Sequence, residues 1–185
     1  MTKNKNIVLG VTGSIAAYKA ADLTSKLTAN GFNVTVIMTE AAQRLVCERT
    51  FFTLSRNKVI TDLWDLPEWQ PGHIELAKNC SLLVIAPATA NIIAKIANGI
   101  ADDPLSTYAL SHNGKILIAP AMNSRMWNNP ALKENCHKLK KRGIIFIGPE
   151  KGRMACGEDG EGRMSEPLDI IKKINEILNI RSCND

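Results

Sequence analysis

The sequence has no GxGxxG fingerprint, no CxxC pair, no internal repeat, no low-complexity segment and no apolar run long enough to cross a bilayer. Each absence narrows the field. Without GxGxxG, the first glycine turn suits a mononucleotide better than a dinucleotide. The five cysteines, Cys47, Cys80, Cys136, Cys156 and Cys183, are odd in number and scattered, so they carry neither a zinc signature nor a redox pair, and they fit a reducing, cytoplasmic compartment. Runs such as LLVIAPA fall far short of the roughly 20 apolar residues a spanning helix needs. MTKNKN leads into a strand-like segment without an apolar signal region, which predicts a soluble chain. Charge is only mildly unbalanced, with 23 Lys+Arg against 18 Asp+Glu for a net +5. Its one dense basic run, KLKKR at 138–142, ends a helical segment where cations complement the dipole, so nucleic acid is not an expected partner, and the modest positive field favours an anionic small substrate.

What is present is an alternation. Short β-branched runs at 6–11, 33–38, 81–86, 115–119 and 143–147 read as strands buried on both faces. The segments at 14–30, 89–98 and 129–142 have helical spacing, with Gly31 and Gly143 where helices should stop, and 166–178 reads as a closing helix. A weak strand is expected near 58–63. This order predicts a doubly wound α/β fold, a mainly parallel sheet with helices on both faces. The 185 residues fit a single domain over 1–179 with a tail at 180–185. Ligands of such sheets bind beyond the carboxyl ends of the strands, so the residues just after each strand matter most.

After the first strand comes GVTGSIAAYK, where Gly10 and Gly13 permit a tight turn and where free N–H groups and the Ser14 hydroxyl suit a phosphate; an ordinary βα turn reads equally well from those residues alone. Strand two ends in Thr39. After strand three, Thr89 caps a helix and Asn91 offers both donor and acceptor to a heteroaromatic edge. After strand four, PAMNSRMW sets Asn123 among Met122, Met126 and Trp127, which is either a polar anchor in an apolar pocket wall or a set of core residues. The stretch 152–164, GRMACGEDGEGRM, has neither helical nor strand period and reads as an irregular glycine-rich flap around Cys156.

Taken together, GSIAAYK, PATAN, PAMNSRMW and ACGEDGEGRM resemble the flavin-dependent cysteine decarboxylase family, and the likeness runs from about residue 6 to residue 178. The branch it is most similar to acts on phosphopantothenoylcysteine in coenzyme A biosynthesis. One departure is visible: the chain reads PATANI where family members commonly read PASANT, so Thr89 and Ile92 stand in for a serine and a threonine.

The resemblance implies FMN as cofactor, with Gly13, Ser14, Thr39, Thr89, Asn91 and Ser106 as its candidate contacts. It implies oxidation of the substrate beside its sulfur to a thioaldehyde, loss of carbon dioxide to an enethiol, and reduction to phosphopantetheine. His73, in PGHIELAK, is the implied base or thiol-orienting residue of the oxidative half. Asn123 is the implied carboxylate holder, and Cys156 the implied proton donor of the reductive half. Met122, Met126, Ala155 and Arg163 are further substrate-binding candidates, and Lys151, Arg153 and Arg163 are the cations available to the substrate phosphate. A homotrimer or an assembly of trimers, with sites at subunit junctions, is also implied. The competing readings are a peptidyl-cysteine decarboxylase that stops at the enethiol and a non-catalytic regulatory flavoprotein. Many bacterial relatives continue into a ligase domain, so the chain reads either as a separate decarboxylase or as part of a longer protein.

Overall fold

The computed structural model describes residues 5–63, 80–153, 155 and 157–180. Five strands, β1 (Asn6–Val11), β2 (Asn33–Met38), β3 (Leu82–Ala88), β4 (Lys115–Pro120) and β5 (Ile145–Phe146), form one sheet in the order β2-β1-β3-β4-β5. All four pairings are parallel. Helices cover both faces, giving the doubly wound α/β architecture that the alternation predicts.

Strand periodicity explains the two cores. Ile7, Leu9 and Val11 of β1 point to one face with Val34, Val36, Leu82, Val84 and Leu117. There they meet α1 (Ala17–Ala29), α3 (Glu48–Ser55) and α8 (Pro167–Leu178) through Leu23, Leu27, Phe51, Ile170 and Ile174. Val8, Ile37, Leu83, Ile85 and Ile118 point to the other face, against α4 (Ala90–Asn98), α5 (Pro104–Ser111) and α7 (Pro130–Lys141) through Ile93, Leu105, Tyr108 and Leu139. Each such side chain, fully buried, contributes about 1.5–3 kcal/mol. Among the described residues there are also two short helices, α2 (Glu40–Gln43) after β2 and α6 (Ser124–Trp127) after β4. Gly31 and Gly143 have φ of 76° and 84°, the left-handed conformation that ends α1 and α7.

Two expectations need correction. The stretch 152–164 contains regular structure: β6 (Glu150–Arg153) and β7 (Asp159–Arg163) pair as an antiparallel hairpin with Gly152 opposite Gly160. A two-stranded ribbon outside the main sheet has no apolar face of its own, so its strands carry no hydrophobic period for a sequence reading to detect. The expected strand near 58–63 is reduced to a single bridge, in which Ile60 exchanges backbone hydrogen bonds of 2.9 Å with Val36 and Met38 on the outer edge of β2. Among the described residues, no helix is long and apolar enough to cross a membrane, and no cluster of three or more His, Cys, Asp or Glu side chains is arranged to hold a metal.

Candidate active site

The strand order reverses between β1 and β3, and the crevice this leaves at their carboxyl ends is the expected ligand position in an open α/β sheet. Thr12 joins the two strand ends. Its buried hydroxyl donates to Pro87 O at 2.7 Å and accepts the Thr89 N–H at 3.1 Å. Thr12 is one residue before the glycine turn that the motif reading singles out, and nothing in its immediate sequence separates it from an ordinary strand-end threonine.

The turn itself is compact. A Cβ at Gly13 would lie 2.5 Å from the Ala41 Cβ, so only glycine lets the β1–α1 turn approach α2 this closely. Ser14 N–H donates back to Thr12 O at 2.8 Å, and Ser14 Oγ accepts the Ala16 N–H at 3.4 Å. The N–H groups of Gly13 and Ile15 have no acceptor among the described residues. Helix α1 starts without a side-chain cap and with no acidic residue in its first turn. Thr39 and Thr89 cap α2 and α4, accepting the Ala42 and Ile92 N–H groups at 3.4 and 3.5 Å, so hydroxyls stand at the ends of β2 and β3 on either side of the β1 turn. Asn91 is exposed in the first turn of α4. Ile92 is buried in the core, and what it supplies to the helix start is its backbone N–H. Ser106 stands apart from this group. It is buried in the capping box of α5, where its N–H donates to Asp103 Oδ1 at 2.8 Å and its hydroxyl accepts from the Asp102 and Asp103 N–H groups.

A cavity of about 460 Å³ opens beside the β1–α1 turn, lined by Ser14, Lys19, Met122, Asn123, Arg153, Ala155 and Arg163 among others. Its walls come from three separate parts of the chain: the start of α1, the PAMN segment after β4, and the hairpin. The hairpin is held over the PAMN segment by the Met122 N–H, which donates to Gly162 O at 3.0 Å, and Met164 at its base is buried in the core. Asn123 caps α6. Its Oδ1 accepts the Met126 N–H at 2.8 Å, which leaves the side-chain N–H₂ as the free end of the amide. Met126 itself is 45% exposed and lies outside the lining, whereas Trp127 is a core residue with Lys133 Nζ 3.9 Å over its ring.

Six of the candidates therefore converge on one cavity: Ser14, Met122, Asn123, Arg153, Ala155 and Arg163. Gly13, Thr39, Thr89 and Asn91 lie along the neighbouring strand ends. His73 and Cys156 lie outside the described residues. The motif reading quotes GSIAAYK but assigns no role to Tyr18 and Lys19, both of which stand in the wall of the same cavity.

Far from this cavity, at the opposite end of the sheet, a buried polar cluster includes Tyr108, whose hydroxyl lies 3.4 Å from His112 Nδ1, while His112 Nε2 lies 3.2 Å from Lys115 O. Burial holds the His112 pKa below its ordinary value, against a smaller opposing effect of the Lys115 carbonyl.

Known proteins resemble this chain in both sequence and fold. The Coenzyme A biosynthesis bifunctional protein CoaBC of Bacillus subtilis (strain 168) is 49% identical over 175 residues, which is 93% of this chain and 43% of that protein. The chain thus spans less than half the length of this curated relative. Among solved structures, a PPC decarboxylase mutant complexed with pantothenoylaminoethenethiol superposes with a TM-score of 0.85 at 29% identity, covering 95% of this chain and 99% of that one. The FMN-dependent cysteine decarboxylase SpaF gives a TM-score of 0.84 at 28% identity, covering 96% and 97%. The flavoprotein family matches residues 1–179, and with a doubly wound sheet whose switch point carries the glycine turn and the cavity, the chain belongs to the flavoprotein family.

Proposed function

We propose that this chain is an FMN-dependent decarboxylase that converts phosphopantothenoylcysteine to phosphopantetheine in the cytoplasm. The observation that carries this reading is the meeting of Ser14, Asn123, Ala155 and Arg163, from three distant motifs, around one cavity at the carboxyl edge of the sheet. The likeness to a relative named for coenzyme A biosynthesis and to a solved PPC decarboxylase supports the same substrate.

The residues present fit a flavin mononucleotide. The unpaired N–H groups of Gly13 and Ile15 and the uncapped start of α1 suit its phosphate. Ser14, Thr39 and Thr89 offer hydroxyls along the adjoining strand ends, and Asn91 offers an amide for the ring edge. Ser106 is left out of this set because its hydroxyl is engaged in the α5 cap. When bound, the flavin supplies a reversible hydride acceptor, the electron sink an ordinary carboxylate needs before it can leave.

The chain's own groups do the rest. Asn123 holds the substrate carboxylate through its amide N–H₂ and orients the bond that breaks. His73 takes or orients the proton of the substrate thiol. Cys156 gives a proton to carbon after carbon dioxide has left. The hairpin over the PAMN segment limits access of water to the reacting carbon.

The active form is a homo-oligomer, a trimer or an assembly of trimers, with each site completed across a subunit junction. Ile15 and Tyr18 support this, since both line the cavity and are 62% exposed in the single chain. Incubation with phosphopantothenoylcysteine should release one equivalent of carbon dioxide, and acid extraction should yield FMN. Extraction of NAD, or no carbon dioxide from flavin-loaded protein, would overturn the assignment. A sedimenting monomer that still turned over substrate would remove the shared site.

A further inference from the structure

Among the described residues, every charged side chain lining the cavity is a cation: Lys19 from the first turn of α1, and Arg153 and Arg163 from the two strands of the hairpin. Two of them are held by one carboxylate oxygen just outside the lining. Glu166 Oε1 accepts from Lys19 Nζ at 2.7 Å and from Arg163 Nη2 at 3.0 Å. Lys19 also donates to Met164 O at 3.4 Å, and with its side chain only 11% exposed, its ammonium is largely withdrawn from bulk water. Among the described residues, Arg153 forms no ion pair, although Asp159 stands opposite it in the hairpin register.

The hairpin is shaped around one of these cations. A Cβ at position 152 would lie 2.6 Å from Arg163 Nη1 and 3.1 Å from its Cδ, and Gly152 has φ of 148°. The Arg163 side chain therefore crosses the ribbon over the bare backbone of Gly152, where this φ disfavours any side chain and a Cβ would displace the guanidinium. Glycine at 152 sets the path of the guanidinium, and Glu166 sets its end.

Three cations against one carboxylate leave two positive charges at this wall, which matches a phosphomonoester carrying about −1.5 to −2 at neutral pH. Asn123, on the same cavity, is neutral. A neutral donor suits a carboxylate that must depart as carbon dioxide, because a tight ion pair there would stabilise the ground state and raise the barrier. Strong cations suit a group that only has to be held. We propose that Lys19, Arg153 and Arg163 form the subsite for the terminal phosphomonoester of the substrate, with Glu166 as the positioning residue that fixes two of the three. This rests on the reading of the cavity as the decarboxylation site.

The test compares kcat/KM for phosphopantothenoylcysteine and for unphosphorylated pantothenoylcysteine in the flavin-loaded protein, together with flavin content and the affinity for phosphopantetheine against pantetheine. The parent should favour the phosphorylated member of each pair. Lys19→Met and Arg163→Met should each cut that preference by roughly 10- to 100-fold, the loss of one charge-assisted hydrogen bond. Glu166→Gln should raise KM for the phosphorylated substrate several-fold with little change in kcat, and Glu166→Asp should restore part of it. Unchanged preference ratios in Lys19→Met and Arg163→Met would overturn the subsite. So would loss of flavin from these variants at unchanged ratios, which would assign the cations to the flavin's own phosphate. If the parent decarboxylated neither substrate, the functional reading would fail, and the phosphopantetheine-to-pantetheine affinity ratio would still decide the subsite.

Discussion

The Asn123 side-chain carbonyl accepts the Met126 N–H at 2.8 Å, and this one bond determines which end of the amide is free for a ligand. The helix cap and the proposed carboxylate holder are the same side chain. Asn123→Asp keeps a good N-cap, so stability should change by less than about 1 kcal/mol. It also replaces a donor with a negative charge facing a carboxylate. Turnover should fall by at least about 100-fold with flavin retained, read as carbon dioxide release beside a melting curve and a flavin spectrum. Normal turnover in this variant would remove Asn123 from the site.

Thr12 ties the ends of β1 and β3 with a single hydroxyl. Thr12→Val preserves shape but leaves the buried Pro87 carbonyl and the half-buried Thr89 N–H without this partner, so it should cost about 1–3 kcal/mol in urea unfolding. It should also lower flavin occupancy, since the strand ends it aligns carry Gly13 and Thr89. Thr12→Ser should recover most of both; if the serine variant behaved like the valine one, shape and not the hydroxyl would be what matters.

His112 gives a pH dependence of defined sign. Burial keeps its folded-state pKa below the ordinary 6.5, so as pH falls through that value the unfolded chain takes up a proton while the folded chain does not. The contribution of this group is fully present above pH of about 6.5 and declines below it, by at most about 1.4 kcal/mol per pH unit. Urea midpoints at several pH values should show the parent losing more stability on acidification than His112→Gln. Parallel curves for the two proteins would exclude His112 as the cause.

Cys156→Ser and His73→Asn separate the two halves of the proposed reaction. The serine variant should still release carbon dioxide but yield the enethiol, seen by mass spectrometry as a product two hydrogens lighter than phosphopantetheine. His73→Asn should bind flavin and leave the substrate unchanged. Ordinary phosphopantetheine formed at the parental rate by the serine variant would make Cys156 structural.

The parallel sheet was legible in the sequence because a strand buried on both faces needs a continuous apolar run, and β1, β2, β3 and β4 each have one. The stops at Gly31 and Gly143 were legible because a left-handed residue favours glycine. The start of α5 carries Asp103, Pro104 and Ser106, the signature of a capped helix, yet Ser106 also sits where a ligand contact is plausible, and only the packed structure shows its hydroxyl engaged in the cap. The hairpin at 150–163 was hidden because strands that cover no core need no apolar pattern; their register comes from the ladder and from Gly152 lying opposite Gly160. Motif residues such as Ser14, Asn123 and Arg163 could be picked out one by one from the sequence. That they share a cavity with Lys19, and that Glu166, already paired locally with Arg163, also binds Lys19, depends on contacts between segments 147 residues apart along the chain. Local sequence determines which backbone a segment adopts, while the distances between side chains of remote segments are set only when helices and strands pack against a common core.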